Sequence, residues 1–317
     1  MSTSAPVAEH DPPSSATRPT PPRRGRLGNR LTAGRAVPMV PAFLLLAGFM
    51  LGPIVYSVYL AFTDKAIRGE GAEQTEFVGF SNFTDAFADA DFWNSVVLTV
   101  IFTVISALLG QNIMGMLLAL LIERAHRVIT FTVTAIVIAA WILPEVVAGY
   151  LLYTFFSPDG SLNAIITAIG LPPQQLLFSA PIFAVSFANI WRGTAFSMLV
   201  YSAALSSVPS DVYESAALDG AGPLRRFTSV TLPLLRPAIA TNLMLTTLQT
   251  LSVFGLIFIM TGGGPARQSQ TLPLYTYEQA FSYGQLGYGT AVALLLLLIG
   301  AVASMAYLRL LPEEDKR

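Results

Sequence analysis

Residues 213–237 read YESAALDGAGPLRRFTSVTLPLLRP, and the runs on either side are apolar enough to cross a membrane. Ser210 is placed to cap a short helix, with Asp211 and Glu214 putting negative charge in its first turn, where the helix dipole favours it. Gly220 can take a positive φ and end that helix. Pro223, behind Gly222, suits the first position of a second one. Leu224, Phe227 and Val230 then recur every three residues as an apolar stripe, with Arg225 and Arg226 off it. Pro233 and Pro237 break the chain before the next apolar run. The pattern predicts two short helices at a fixed angle, the first over 211–219. Small side chains at Ser215, Ala216 and Ala217 would let its backbone approach another surface closely. Such a segment reads as a docking knob, not a flexible connector.

The rest of the chain sets the context. Of its 317 residues, 53% are hydrophobic and only 12% charged, about half the charge of an ordinary soluble domain. Six runs are long enough to span a bilayer core: 38–62, 94–122, 128–156, 181–207, 238–260 and 288–311. The expected fold class is therefore an all-α polytopic membrane protein with six transmembrane helices. Residues 1–37 are rich in Pro, Ser and Arg and read as a disordered tail without a signal peptide, and 312–317 form a short C-terminal tail. Residues 63–93 make a loop, and 94–311 a five-helix core that includes the long loop 208–237. Lys and Arg number fourteen in the tail, the 123–127 and 208–237 loops and the C-terminal end, against three in the alternate loops. That bias puts both termini and the 208–237 loop in the cytoplasm. The tail arginines are read as topology signals or contacts with anionic lipid, and no nucleic-acid partner is expected. With no cysteine and only His10 and His126, thiolate and histidine metal sites are not expected. No Gly-x-x-x-x-Gly-Lys-Ser/Thr loop is present, so the chain lacks that device for binding ATP. No catalytic residue is assigned.

At the loop, a family resemblance becomes specific. Glu214-Ser215-Ala216, then Gly220, then nine residues, then Val230, Thr231 and Leu232-Pro233 keep the spacing of the cytoplasmic "EAA" loop. That loop belongs to permease subunits of binding-protein-dependent ABC importers. Ser215 stands for Ala and Val230 for Ile. FVGFSNF at 77–83, MTGGGP at 260–265 and LYTYEQAF at 274–281 resemble the maltose- and glycerol-phosphate-type sugar permeases, and specifically the partner with the Gly-Gly-Gly-Pro outer loop. The glycines fit a purely structural turn equally well. The resemblance covers nearly all of 38–311. It implies a type I ABC importer permease fold in a bacterial plasma membrane. It implies ATPase coupling through Glu214, Ser215, Ala216, Ala217, Asp219, Gly220, Val230, Leu232 and Pro233. It also implies a second, homologous permease subunit, two cytoplasmic ATPase subunits that carry the ATP and Mg, and an extracytoplasmic solute-binding protein. No cofactor is expected on this chain itself.

Polar residues inside spans are costly and tend to face cavities or partners. Asn189, Arg192, Gly193 and Phe196 fall at helical spacing on one broad face of the fourth run. Asn242, Thr246, Gln249 and Ser252 do so in the fifth. The resemblance implies that Asn189, Gly193, Gln249 and Ser252 lie near sugar-contacting positions, and helix–helix hydrogen bonding is the equal alternative. Gln111 and Asn112, in the second run, fit bonding across helices better than lining the path. Pro144 should kink the third run, and Glu145 lies near its centre at a cost of roughly 2.5–3.5 kcal/mol. Arg192 is its first expected partner; protonation, or contact with a partner subunit or the substrate, are the others. The competing function is an ion-coupled secondary transporter using Glu145, which would call for inverted repeats that are not visible. A membrane-anchoring scaffold would leave the mid-span polar residues without a reason.

Overall fold

The computed structural model describes residues 39–310. The expected tails 1–37 and 312–317 lie outside that range. Residues up to Gly52 form one compact unit and those from Pro53 onward another. The described part is built from helices, with one isolated antiparallel bridge between Thr63 and Phe77.

The first apolar run forms α1, Val40–Ala61, whose most apolar stretch buries none of its length within the chain. In the second unit, α2 is Ser81–Ala88. The second run forms α3, Ala90–Glu123, and starts four residues earlier than expected. The cause is Asp89, whose carboxylate accepts the Asp91 N–H at 2.8 Å and caps the helix. Residues Val104–Gln111 in its middle are π-helical. The fourth run is α7, Pro181–Ser206, with Pro181 in the first turn, where its missing N–H has no cost. The sixth is α13, Leu286–Leu310.

Two runs do not form single helices. The third was expected as one helix kinked at Pro144. It is instead α4, Arg127–Ile142, and α5, Glu145–Phe156, followed by α6, Ser161–Ala168. The segments Arg127–Ile142 and Glu145–Ala168 are bent by 107°. Pro144 pushes the preceding residue out of the helical region, and Leu143 sits at ψ 132 with Pro144 itself at ψ 144, so the chain breaks rather than bends. The fifth run divides into α10, Arg236–Leu251, and α11, Gly255–Met260. By length and apolarity alone, three described helices qualify as spans, or four if the bent pair counts as one. α7 is long enough but too polar, and α10 and α11 are each too short.

Between α7 and α10 lie α8, Ser210–Leu218, and α9, Pro223–Arg226. On the opposite side of α11, α12 is Leu272–Tyr277.

The core gathers around α7. Val185 and Ala188 pack with Phe102 of α3, Ala148 and Leu152 of α5, and Leu256 and Ile257 of α11. Farther along, Met198, Tyr201 and Leu205 pack with Ala119 and Leu235. Glycine lets α3 and α7 approach closely: a Cβ on Gly115 would stand 2.4 Å from the Ser197 Cβ. Large apolar side chains point outward along the second unit, Phe131, Ile136 and Ile142 among them, as a bilayer solvent allows.

Buried polar groups stitch the same helices together. Asn189 donates to Ser106 Oγ at 2.8 Å and Thr250 Oγ1 at 3.1 Å. Gln111 donates to the Asn189 carbonyl at 3.1 Å. Asn242 donates to Asn112 Oδ1 at 2.8 Å and Ser197 Oγ at 2.9 Å, and the Tyr201 hydroxyl donates to the same Asn112 oxygen. Asn112 in turn donates at 2.6 Å to the Ala107 carbonyl, five residues back in the π-helical stretch. Gln111 and Asn112 thus bond across helices.

Candidate functional site

The loop after α7 folds as two limbs. Pro209, not Ser210, occupies the cap position of α8, and Ser210 is its first helical residue, with its hydroxyl 3.3 Å from Asp211 Oδ1. At the other end the Gly220 N–H reaches the Ala217 carbonyl and the Ala221 N–H reaches that of Ala216, both at 3.0 Å. Gly220 has φ +76, so these bonds close a Schellman motif that needs a glycine. No residue of α8 is buried. Glu214, Ser215, Ala217, Leu218 and Asp219 are exposed and Ala216 is half-buried. Leu218, at 90% exposure, is a leucine with nothing over it in this chain.

The second limb departs from a regular amphipathic helix. After α9, Phe227–Thr231 is π-helical and Leu232–Leu234 returns to α-helix. Leu224 is exposed, not part of a buried stripe, while Phe227 and Val230 are half-buried. Leu232 is exposed and Pro233 half-buried, while Thr231 and Leu235 carry the limb into the core. The chain breaks at Leu235, between the two prolines, and Pro237 lies in the first turn of α10 rather than outside it. Half-buried Tyr213 of α8 lines a crevice of about 270 Å³ together with Leu120, Glu123 and Arg124 at the end of α3 and Arg226 and Phe227 of the second limb. Tyr213 and Leu235 were missed in the sequence. The four-residue spacing Phe227, Thr231, Leu235 was the available signal for the second.

The polar positions of α7 share one broad face but meet different partners across it. Asn189 is buried and its amide is spent on Ser106 and Thr250. At Gly193 a Cβ would stand 2.3 Å from the Gln111 side chain. Arg192 and Phe196, one turn apart, look toward the α4–α5 break. Arg192 Nε donates to the Leu143 carbonyl at 3.3 Å and its guanidinium lies 3.7 Å from Glu145, so the expected internal ion pair is present. The other Glu145 oxygen accepts the Gly255 N–H at 3.2 Å, which explains how the first residue of α11 meets its hydrogen-bonding requirement at the second break. In the fifth run Asn242 and Thr246 are buried, whereas Gln249 and Ser252 are exposed. The Ser252 hydroxyl bonds back to the Leu248 carbonyl at 3.1 Å.

On the far side, Gly262 and Gly263 take φ +56 and +84 in the Gly-Gly-Gly-Pro turn. The turn is tied to the start of α3: Arg267 pairs with Asp91, and Asn94 donates to the Arg267 carbonyl at 3.2 Å. The Tyr275 hydroxyl donates to Asp89 at 2.5 Å, and burial with that carboxylate raises its pKa above the usual phenol value. Burial also raises the Glu278 pKa, against the opposing pull of Gln270 and Arg267. Among the described residues no cluster of His, Asp and Glu has metal-binding geometry.

Helices that bury polar bonds among themselves and face outward with apolar side chains suit a membrane-embedded protein, and the two-limbed knob projects from them uncovered. The chain belongs to the family of binding-protein-dependent transport system inner membrane components, whose pattern matches residues 111–314. The sulfoquinovosyl glycerol transport system permease protein of Agrobacterium fabrum is 32% identical, over 91% of this chain and 93% of that protein. The diacetylchitobiose uptake system permease protein of Streptomyces coelicolor is 31% identical, over 90% of each. The trehalose/maltose transport system permease protein of Thermococcus litoralis is 32% identical, over 74% of this chain and 79% of that protein. A subunit of a bacterial alginate ABC transporter, solved in complex with an alginate-bound periplasmic protein, superposes with a TM-score of 0.73 at 25% identity, covering 87% of this chain and 92% of that one. The fold is that of an ABC importer permease, and the ion-coupled alternative is set aside.

Proposed function

We propose that the chain moves a sugar or sugar-like solute (an oligosaccharide, polyol or glycerophosphodiester) into a bacterial cell by alternating access, driven by ATP hydrolysis on a separate subunit. The observation that carries this reading is the uncovered α8, closed by its glycine motif and placed in the loop that joins α7 to α10. In this proposal Glu214, Ser215, Ala216, Ala217, Asp219 and Gly220 dock on the ATPase, with Val230, Leu232 and Pro233 bracing the return to α10. Movement of α8 turns α7 and α10 and switches access to the path. Two ATPase subunits hold the ATP and Mg, a second homologous permease completes the pathway, and an outer solute-binding protein delivers the substrate. The chain crosses the plasma membrane six times, with α4–α5 as the third crossing and α10–α11 as the fifth, and both termini are cytoplasmic. The Lys and Arg bias supports that orientation. The saccharide-derived solutes named for the relatives support the substrate class.

The substrate path in this reading runs past Arg192, Phe196, Glu145, Gln249 and Ser252, which the fold leaves reachable. Asn189 and Gly193 contribute by holding α7 in place. Uptake into proteoliposomes containing the full complex tests the proposal. ATP-dependent accumulation that disappears with Gly220→Pro, while the complex still assembles, is expected. Accumulation without ATP, ATPase or binding protein would overturn it.

A further inference from the structure

Phe187, Trp191 and Thr194 lie along one side of α7 and border a cavity of about 470 Å³. Met114 and Leu118 of α3 and Ile136 and Ala139 of α4 close it from the other side. The volume lies within the roughly 300–1,000 Å³ of small-molecule sites. The chemistry does not suit a polar solute. No charged side chain lines the cavity, and its one hydroxyl, on Thr194, already donates to the Ile190 carbonyl at 2.6 Å. A hydroxyl-rich molecule would leave water there and meet no charge, amide or free hydroxyl in return. The cavity opens sideways: Met114, Ile136 and Phe187 on its rim are 45%, 65% and 48% exposed. Membrane helices approach one another over small side chains. This rim is bulky, and a thin, flexible hydrocarbon fits between its side chains better than a second helix does.

Depth and charge narrow the occupant further. Leu118 lies five residues before Glu123, the last residue of α3, and Met114 lies nine before it. Ile136 lies nine residues after Arg127, the first of α4. At 1.5 Å per residue these positions are about 8 Å and about 14 Å from the α3–α4 loop. Half of a bilayer core is about 15 Å. The groove therefore begins within the leaflet next to that loop and reaches the midplane, which is the course of one lipid tail. At the headgroup end, Arg124 and Arg127 are exposed, and neither forms an ion pair among the described residues. Glu123 offsets one of the two charges, so that end stays positive.

We infer that the groove holds one acyl chain of an anionic phospholipid of the cytoplasmic leaflet, with its phosphate at Arg124 and Arg127. This rests on the proposed orientation, in which the α3–α4 loop is cytoplasmic. Leu143, at the α4–α5 break, lines the same cavity, so the tail props the bend between α4 and α7.

The test uses the assembled transporter in nanodiscs of phosphatidylcholine, doped with phosphatidylglycerol or phosphatidylcholine brominated at mid-chain. Bromine quenches an indole that it touches, and the difference between wild type and Trp191→Phe reads Trp191 alone. Brominated phosphatidylglycerol should quench Trp191 at a mole fraction at least about threefold lower than brominated phosphatidylcholine. Arg124→Gln with Arg127→Gln should bring the two lipids together. Ala139→Phe, which puts a ring into the groove from an exposed position, should remove most of the quenching by both. Equal quenching by the two lipids in wild type overturns the inference, as does an unchanged preference in the assembled double arginine variant or full quenching in Ala139→Phe. Quenching by neither lipid overturns it too, and means that protein covers the groove. Both leaflets of a nanodisc are alike, so these results do not depend on orientation. The chain has no cysteine, and labelling of Ala125→Cys in intact cells by a membrane-impermeant maleimide reads the orientation separately. Labelling there counts against the cytoplasmic placement of the loop, and failure of ATP-driven uptake counts against the importer reading.

Discussion

The broad polar face of α7 has two edges whose side chains are used in opposite ways. On one, Asn189, Gly193 and Ser197 meet α3 and α10, and the amide and hydroxyl groups are consumed in buried hydrogen bonds. On the other, Arg192 and Phe196 stand at a helix break with hydrogen-bonding capacity and ring surface left over. A polar residue inside a membrane helix is therefore not by itself a sign of a path. What separates the two edges is whether the neighbouring helix supplies a partner for every polar group.

The largest effect that tests this contrast is steric. Gly115→Val drives a side chain into Ser197 on the closed edge and should cost about 3 kcal/mol or prevent assembly. The control Gly222→Val, where nothing lies within 4 Å, should stay within about 0.5 kcal/mol. Thermal melting of the purified subunit compares the two, and equal melting would erase the distinction. Asn242→Leu should come next. It leaves Ser197 Oγ without its donor and Asn112 Oδ1 with only the Tyr201 hydroxyl, at about 1–3 kcal/mol by the same measurement. On the open edge the effects shrink. Arg192→Ala should lower stability by up to about 1 kcal/mol, as its pair is partly exposed, and the loss on combining it with Glu145→Ala should fall short of the sum of the two single losses. A double-variant loss equal to the sum of the Arg192→Ala and Glu145→Ala losses would show that the pair adds nothing. The smallest effect is a pH dependence at Glu278. Its folded pKa is raised above the ordinary 4.5, so its contribution is fully present below that value and is lost as pH rises through the folded pKa. Glu278→Gln should flatten that part of the stability profile, and a profile unchanged by the substitution would discount the role of burial there.

Much of the fold could be read from the chain, because apolar runs and glycine–proline punctuation are local signals. The α8 turn is the clearest case: Gly220 and Pro223 carry it within four residues. The ends of α7 and α13 were legible for the same reason. The break at 252–254 was not, because it depends on an N–H of Gly255 finding Glu145, far away in sequence. The division of that face of α7 into two edges was hidden for a related reason. Spacing gives the angle of a side chain about its own helix, but Asn189 and Arg192 are distinguished by what α3 and the α4–α5 break place opposite them. Within the coupling segment, the π-helical turn at Phe227–Thr231 shifted the expected stripe, taking Leu224 out of it and setting Leu235 in the core.

The contact between Glu145 and Gly255 has a mechanical side. α10 leads directly from the projecting loop, yet its regular helix ends at Leu251; the Ser252 and Val253 N–H groups reach only three residues back, to Gln249 and Thr250 at 3.2 and 3.1 Å, before α11 starts at Gly255. Beyond the stop, α11 is clasped to α5 by that carboxylate and by the close approach of Gly149 to Ile259, where an added Cβ would stand 3.0 Å from the isoleucine. In the proposed cycle, a torque entering at the loop meets that interruption before the far end of the same run, where α11 is held to α5.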